Sequence, residues 1–290
     1  MGVIEIKNMS KYYGDFCALK DISLKIEPNK IYGLLGRNGA GKTTLLNLIN
    51  NRLFPTEGEI TIDGEGVLEN DKAIGKMFYM TEKDLYPEAM KVGKAFVWTK
   101  EFYPSFDMEY AMALSKKFSL NTNKKIKALS TGQNSIMKLI ITLASNAEVL
   151  MFDEPILGLD ANHRELFYKE LLQNFIDKPK TIILSTHIIE EISDILERVI
   201  IIKDKGIAVD DSVENLLERA YSVAGAASKV DEFIKDKNPI NTEVLGSFKS
   251  ATILGELSAK DRETINSLEL EINKVELQKL FIHLTNEGGN

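Results

Sequence analysis

The stretch Gly36-Arg37-Asn38-Gly39-Ala40-Gly41-Lys42-Thr43-Thr44 decides the fold of this 290-residue chain. It matches the phosphate-binding pattern G-x-x-x-x-G-K-[ST] without a gap. The apolar run Ile31–Leu35 before it is typical of a buried strand, and Leu45–Ile49 continues it as a helix without Gly or Pro. The alternative interpretation is a glycine-rich turn that binds nothing. Because the complete motif lies between a strand and a helix, the sequence favours a nucleoside triphosphate site.

Each part of this loop has a chemical task. Backbone N–H groups curl around phosphate oxygens, and the helix N-terminus adds a partial positive charge. Lys42 is expected to reach the β- and γ-phosphates, and the Thr43 hydroxyl to bind a Mg²⁺ ion. The residues predicted to contact the nucleotide here are Asn38, Gly39, Ala40, Gly41, Lys42, Thr43 and Thr44.

Composition and charge narrow the class of protein. Hydrophobic residues at 44% and charged residues at 27% are typical of a globular protein. A net charge of −7 argues against nucleic acid as the partner, and a single cysteine fits a reducing compartment. No signal peptide is recognised before the strand pattern Val3–Ile6, and the apolar runs are too short to span a membrane. We therefore expect a cytoplasmic protein whose membrane connection depends on a partner.

The organisation of the chain indicates an α/β protein with additions. Residues 3–27 alternate like antiparallel strands, whereas later apolar runs separated by helical segments are typical of a parallel sheet. Residues 84–128 predict a helical insert, with helices at Met90–Phe102 and Met108–Phe118. We predict a nucleotide-binding domain over residues 1–212 and an accessory module over residues 213–290, with strands near Glu243–Lys249 and Ala251–Leu257.

An acidic pair follows one of the predicted parallel strands. The apolar run Glu148–Phe152 ends in Asp153 and Glu154, at the carboxyl end where α/β sheets bind ligands. Asp153 suits a role in holding Mg²⁺ through water, and Glu154 suits a general base that polarises the attacking water. The alternative is a solvent-exposed acidic pair without a catalytic role. The pair follows the phosphate loop in the chain, and this order of motifs favours the catalytic interpretation.

Leu129-Ser130-Thr131-Gly132-Gln133 lies between the phosphate loop and the acidic strand. Alone, it is an ordinary serine N-cap on a helix. Together with the other two motifs it resembles the L-S-G-G-Q signature of the ATP-binding cassette (ABC) ATPases, a resemblance that covers roughly residues 2–210. It implies an α/β fold with a P-loop NTPase, RecA-like core, an antiparallel β subdomain, a helical insert and a small C-terminal α+β module.

In this family the signature acts in trans. The resemblance implies that Ser130, Gly132 and Gln133 contact ATP held by a second ABC ATPase subunit, so a working unit is a homodimer or a related heterodimer. Three further residues match family positions. Tyr13 matches the aromatic that stacks on adenine, against the alternative of a core tyrosine. Asp160 matches a loop that touches the opposite subunit, and His187 matches the switch histidine at the γ-phosphate, against the alternative of an unremarkable histidine after a strand.

Two residues depart from the family pattern. Glu82 stands where Gln is usual; a carboxylate there can bind metal or order water, so we retain it as a candidate catalytic and metal-binding residue. Thr131 stands where Gly is usual. A β-branched residue restricts the backbone, and we expect reduced contact with the phosphate of the second subunit.

The helical insert and the tail point to partners. In the family, the insert forms a groove for a membrane subunit, and some of its five aromatic residues are predicted to form that groove: Phe96, Trp98, Phe102, Tyr103 and Phe106. The segment Leu277–Thr285 resembles the tail helix of cassettes that serve exporters, although a structural or dimerisation element fits it equally, and His283 is interpreted as structural.

The resemblance implies a subunit that binds and hydrolyses ATP with Mg²⁺ and dimerises head-to-tail to drive export through a separate integral membrane permease. Such a subunit is peripheral at the cytoplasmic face of the membrane. Two alternatives stay open: a nucleotide-gated regulatory subunit with weak hydrolysis, and an ABC ATPase that does not act in transport.

Overall fold

The computed structural model describes residues 2–83 and 85–286. They form two compact units: residues up to 187 with 202–209, and residues 188–201 with 210 onward. The predicted start of the helical insert at residue 84 and the end of the accessory module at 287–290 lie outside the described residues. No helix in the described part of the chain is long and apolar enough to cross a membrane.

The strands are β1 (Ile4–Tyr13), β2 (Phe16–Ile26), β3 (Ile31–Leu35), β4 (Glu57–Ile62), β5 (Glu65–Gly66), β6 (Met77–Met80), β7 (Val149–Asp153), β8 (Thr181–Ser185), β9 (Arg198–Lys203), β10 (Gly206–Ser212), β11 (Ala220–Ala226), β12 (Asn241–Leu245), β13 (Phe248–Leu254) and β14 (Glu271–Lys274). The helices are α1 (Lys42–Ile49), α2 (Asp71–Ile74), α3 (Val92–Phe102), α4 (Met108–Lys117), α5 (Thr131–Ala144), α6 (Ala161–Asp177), α7 (Val213–Glu218), α8 (Ala227–Ile234), α9 (Ala259–Ser267) and α10 (Leu277–Thr285).

The first unit contains an antiparallel sheet with strand order β2-β1-β4-β5. Ile4 on β1 faces Ile26 on β2 and Ile62 on β4, and all three side chains are buried. The period-two pattern of residues 3–27 therefore reflects one buried and one solvated face. The antiparallel strands predicted from that pattern are confirmed.

A second sheet of the first unit carries the site. Its parallel strands lie in the order β3-β8-β7-β6. Residues 202–209, which contain the end of β9 and the first part of β10, belong to the same sheet. Every residue of β3, β7 and β8 is buried, as expected for a parallel sheet covered on both faces. Because parallel strands end at the same edge, the segments after these three strands meet there.

The helical insert contains the two expected helices. Helix α3 begins at Val92, two residues later than predicted, and buries Phe96 in its core. Helix α4 begins after Asp107, whose carboxylate accepts a hydrogen bond from the backbone N–H of Tyr110 (2.9 Å), a favourable N-cap.

The second unit is built on the antiparallel sheet β12-β13-β11-β14. The predicted boundaries of its hairpin are wrong: β12 ends at Leu245 and β13 begins at Phe248. Gly246 has a φ of +62°, a left-handed conformation that glycine adopts without strain, so a turn interrupts the apolar run. His283 on α10 is buried and 3.2 Å from Asn241 Nδ2, which agrees with its structural interpretation.

Candidate active site

The phosphate loop joins the end of β3 to the beginning of α1 and lines a cavity of about 380 Å³. Gly41 precedes the helix with a φ of +110°, and a Cβ atom at this position would lie 2.7 Å from Leu19 Cδ2. The backbone conformation therefore favours glycine, and a larger residue would also have to displace the Leu19 side chain. The expected nucleotide contacts from Asn38 to Thr44 all line this cavity.

Lys42 is buried at the floor of the cavity. Its Nζ donates hydrogen bonds to the backbone oxygens of Gly36 (2.8 Å) and Arg37 (3.4 Å). Burial lowers the pKa of the Lys42 ammonium, while the negative charges of Glu154 and Asp153 act in the opposite direction. These loop carbonyls solvate the ammonium, and phosphate oxygens are stronger acceptors for it.

Asp153, the last residue of β7, meets the phosphate loop. Thr43 Oγ1 donates to Asp153 Oδ2 over 2.8 Å, and the Tyr79 hydroxyl donates to the same oxygen over 3.1 Å. Two residues that were each predicted to bind Mg²⁺, Thr43 and Asp153, are thus in direct contact, and their role toward the metal stays a prediction. Tyr79 was missed by sequence reasoning, because an aromatic residue in a four-residue apolar strand looks like core.

Glu154 and His187 form a second pair at this edge. Glu154 has a φ of +48° directly after β7, and its backbone N–H donates to the Ser185 carbonyl oxygen at the end of β8 (2.9 Å). Its Oε2 lies 2.8 Å from His187 Nδ1. The two residues that sequence analysis placed after different strands are in hydrogen-bond contact. This geometry orients the Glu154 carboxylate while leaving it half-buried beside the loop cavity.

The oxygen groups near the loop fit a magnesium ion. Thr43, Asp153 and Glu82 line a neighbouring cavity of about 400 Å³, and Glu82 is exposed there. Hydroxyl and carboxylate oxygens are the ligands that Mg²⁺ prefers, usually with substrate phosphates completing its shell. No cluster of three or more His, Cys, Asp or Glu suited to a metal occurs among residues 2–83 and 85–286. An ion bound by these oxygens would also be held by the phosphates of a bound triphosphate.

Two aromatic rings stand at the rim of the loop cavity. Tyr13 is 46% exposed and Phe16 is 62% exposed, and they face each other at the end of the β1–β2 hairpin. The core interpretation of Tyr13 is therefore wrong. Phe16 was missed by sequence reasoning. The signal was present, because Phe16 follows the turn residue Gly14 by two positions and pairs with Tyr13 in the hairpin.

The signature segment forms the beginning of α5. Ser130 Oγ accepts a hydrogen bond from Gln133 N (3.2 Å), and Gln133 Oε1 accepts one from Ser130 N (3.4 Å). This reciprocal capping box begins the helix at Thr131, directly after Ser130. Thr131 is the first helical residue, and its φ is not positive, so the β-branched side chain causes no backbone strain there.

Gly132 packs against backbone: a Cβ atom at this position would lie 2.6 Å from the Gly158 carbonyl oxygen. No residue of 129–133 is among the described residues that line the phosphate-loop cavity. The cavity that the phosphate loop lines is therefore formed by other segments of the described chain.

Asp160 has a local role that can be seen directly. It is the N-cap of α6, where its carboxylate accepts a hydrogen bond from the backbone N–H of His163 (2.9 Å) and pairs with the His163 ring. These contacts hold the pKa of Asp160 below its usual range. Its predicted contact with a second subunit stays a prediction.

Comparison with known proteins adds independent information. The ABC transporter family profile matches residues 19–157. The ABC transporter ATP-binding protein NatA of Bacillus subtilis (strain 168) is 32% identical over 221 residues, which cover 71% of this chain and 86% of NatA. The nucleoside import ATP-binding protein NupA of Lactococcus lactis subsp. cremoris is 30% identical over 220 residues, covering 72% of this chain and 43% of NupA. The dimeric structure of MJ0796, a bacterial ABC transporter cassette, has a TM-score of 0.62 and 25% identity, covering 72% of this chain and 98% of that chain.

A phosphate loop, an acidic strand end and a histidine gathered at one edge of a parallel sheet define a P-loop nucleoside triphosphatase. The similarity to NatA, together with the family match, identifies the chain further. It belongs to the ABC transporter family, as an ATP-binding subunit with ATPase activity. The predicted family, fold class and enzyme class are confirmed.

Proposed function

We propose that two cassettes of this kind close head-to-tail around ATP and use its hydrolysis to drive transport through a separate membrane permease. One observation carries the proposal. The phosphate loop, Asp153, Glu154 and His187 converge within one unit, whereas the described residues lining their cavity include none of the signature. Half of an ATP site is thus present, and a second chain of the same family would supply the other half.

Within one chain, the residues divide the chemistry. Lys42 and the loop N–H groups would bind the β- and γ-phosphates. Thr43 and Asp153, with Glu82 beside them, would hold Mg²⁺. When bound, Mg²⁺ neutralises charge on the phosphate oxygens. Glu154 accepts the proton of the attacking water, and His187 orients that carboxylate from 2.8 Å and approaches the γ-phosphate.

The second chain supplies its signature. The first turn of α5 presents backbone N–H groups such as that of Gly132, next to the Ser130 hydroxyl, and these groups suit a γ-phosphate. Ser130 is exposed, and its hydroxyl is engaged only by the capping box, so the segment is accessible to a partner. Gln133 supports this turn, and Asp160 fixes the beginning of the neighbouring helix.

The permease would dock beside the helical insert. A groove of about 330 Å³ is lined by aromatic residues, of which Trp98 is 47% and Phe102 is 77% exposed, with Tyr103 half-buried. Phe96 and Phe106 are buried, so two of the five predicted aromatics serve the core of the insert. Exposed aromatic side chains of this kind mark interaction surfaces. Docking there would make the protein peripheral at the cytoplasmic face of the membrane.

Replacing Phe102 by Glu should release the protein from membranes that contain its permease. A carboxylate at the end of α3 opposes burial in an apolar interface, because burying an unpaired charge is costly. The measurement is co-sedimentation with permease-containing membranes. Ile176→Glu, which changes another exposed apolar side chain near the end of a helix, α6, is the matched control and should sediment normally. Equal retention of both variants would contradict docking in this groove.

Replacing Tyr13 by Ala should weaken ATP binding about tenfold, because stacking of an aromatic ring on a base contributes about 1–3 kcal/mol. Tyr13→Phe keeps the ring and should bind ATP normally. Binding is measured by calorimetry with ATP and with inorganic triphosphate, which has no base. A structural role of Tyr13 would weaken both ligands equally, and that result would remove it from the adenine site.

The prediction of export depends on the tail helix α10, which coincides with the segment Leu277–Thr285. NupA, a relative named for nucleoside import, indicates that the family alone does not set the direction. We likewise propose that residues 213–290 are an accessory module. Transport assays with the partner permease in inverted and right-side-out vesicles determine the direction.

A further inference from the structure

Tyr79 makes a contact that none of the motifs accounts for. Its side chain on β6 is 3% exposed, and its hydroxyl donates to Asp153 Oδ2 over 3.1 Å. The same oxygen accepts the hydrogen bond of Thr43. The Asp153 carboxylate, a candidate Mg²⁺ ligand, thus accepts hydrogen bonds from Thr43 of the phosphate loop and from the buried Tyr79 hydroxyl.

The other face of Tyr79 belongs to the aromatic groove. Its ring lines the groove together with Trp98 and Phe102. The guanidinium carbon of Arg52 lies 4.9 Å from the centre of the Tyr79 ring, a cation–π contact, and Arg52 also lines the groove. Tyr79 therefore lines the groove, while its hydroxyl contacts Asp153.

The Tyr79 hydroxyl is the donor of this bond, because an ionised carboxylate only accepts hydrogen bonds. The hydrogen bond is also sensitive to small movements, since a donor–acceptor distance of 3.1 Å needs only about half an ångström more to be lost.

We infer that Tyr79 is a positioning residue. Its hydroxyl holds the Asp153 carboxylate in the orientation that Mg²⁺ binding requires, and its ring links that carboxylate to the conformation of the groove. The inference rests on the proposed function, because it takes Asp153 to serve a Mg²⁺ ion and the groove to receive the permease. Tyr79 acts through Asp153 and does not contact nucleotide itself.

Tyr79→Phe tests the first half of this inference, because it keeps the ring and removes only the hydroxyl. ATP binding is measured by calorimetry in EDTA and across a Mg²⁺ titration. Without metal, the variant should bind ATP within about twofold of the wild type, whereas the Mg²⁺ concentration needed for full affinity should rise about tenfold, as expected for a lost hydrogen bond to a charged group. A merely structural role would change both measurements or neither.

Tyr110→Phe is the matched control. Tyr110 is half-buried, and burial raises its pKa to about 12, but it lies on α4 and does not line the cavities that Asp153 lines. Its Mg²⁺ requirement should equal that of the wild type, and thermal melting confirms that both variants fold. A Tyr79→Phe variant with the wild-type Mg²⁺ requirement, or an equal shift in Tyr110→Phe, would overturn the inference.

Trp98 reports on the second half, because it is the single tryptophan of the chain and lies in the groove. Addition of ATP with Mg²⁺ should change its fluorescence in the wild type and in Tyr110→Phe, and the change should be largely lost in Tyr79→Phe. A full response in Tyr79→Phe, or none in the wild type, would overturn the link to the groove.

The experiment distinguishes the proposed metal site from the role of Tyr79. A wild-type chain whose ATP affinity does not depend on Mg²⁺ would contradict both. A wild-type chain that responds to Mg²⁺, next to a Tyr79→Phe variant that responds identically, would contradict only the role of Tyr79.

Discussion

Glu154→Gln should bind ATP with wild-type affinity, lose hydrolysis by a factor of about 10²–10⁴, and accumulate as an ATP-bound dimer. The amide has the shape of the carboxylate and can still contact His187, but it cannot accept a proton from water. Hydrolysis is measured by phosphate release. Dimerisation is measured by light scattering, as a doubling of the 32.5 kDa monomer mass on addition of ATP.

Two controls make this result specific. Glu165→Gln alters an exposed glutamate on α6 and should hydrolyse ATP normally. The wild-type chain should form the dimer only transiently. Unchanged hydrolysis in Glu154→Gln would remove Glu154 from the role of base. A wild type already as slow as the variant would instead favour the nucleotide-gated regulatory subunit.

The sequence predicted the catalytic edge well, because each motif there is contiguous and follows a buried strand. The apolar runs before Gly36, Asp153 and His187 identify parallel strands, and parallel strands deliver their following residues to one edge. The alternation of apolar strands with helical segments along the chain then predicts the α/β fold class. Residue type and spacing predict the α/β class and the edge, whereas the role of His187 and the P-loop NTPase core follow from the resemblance to the ABC ATPases.

The remaining contacts depend on which side chains meet across the fold. Tyr79 and Asp153 are far apart in sequence, and the apolar pattern of β6 cannot distinguish a core tyrosine from one that holds a carboxylate. The beginning of α5 at Thr131 has a related cause. The polar residues Thr131–Gln133 carry no helical periodicity, yet the capping box of Ser130 includes them in the helix.

Turn chemistry explains the error in the second unit. The run Glu243–Lys249 looks like one strand because its residues favour β structure, but Gly246 allows the chain to reverse within it. The burial of Phe96 and Phe106 beside exposed Trp98 and Phe102 is also set by helix packing, which aromatic content alone does not reveal.

Mixing two inactive variants should restore hydrolysis, and this is the sharpest test of the head-to-tail dimer. Lys42→Ala removes the ammonium from the phosphate loop and should weaken ATP binding about a hundredfold, since charge-assisted hydrogen bonds to phosphate are among the strongest in proteins. Ser130→Asp keeps a good N-cap on α5 but sets a negative charge against the γ-phosphate of the partner. Each variant alone should be inactive.

An equal mixture should recover about a quarter of wild-type hydrolysis, because half of the dimers combine both variants and each of these holds one complete site out of two. In that site, the intact loop of the Ser130→Asp chain faces the intact signature of the Lys42→Ala chain. Ser212→Asp, at the N-cap of α7, controls for the substitution and should remain active. Placing both changes in one chain should leave it inactive. A mixture no more active than its components would contradict a shared site, since a signature that served its own chain could not rescue another.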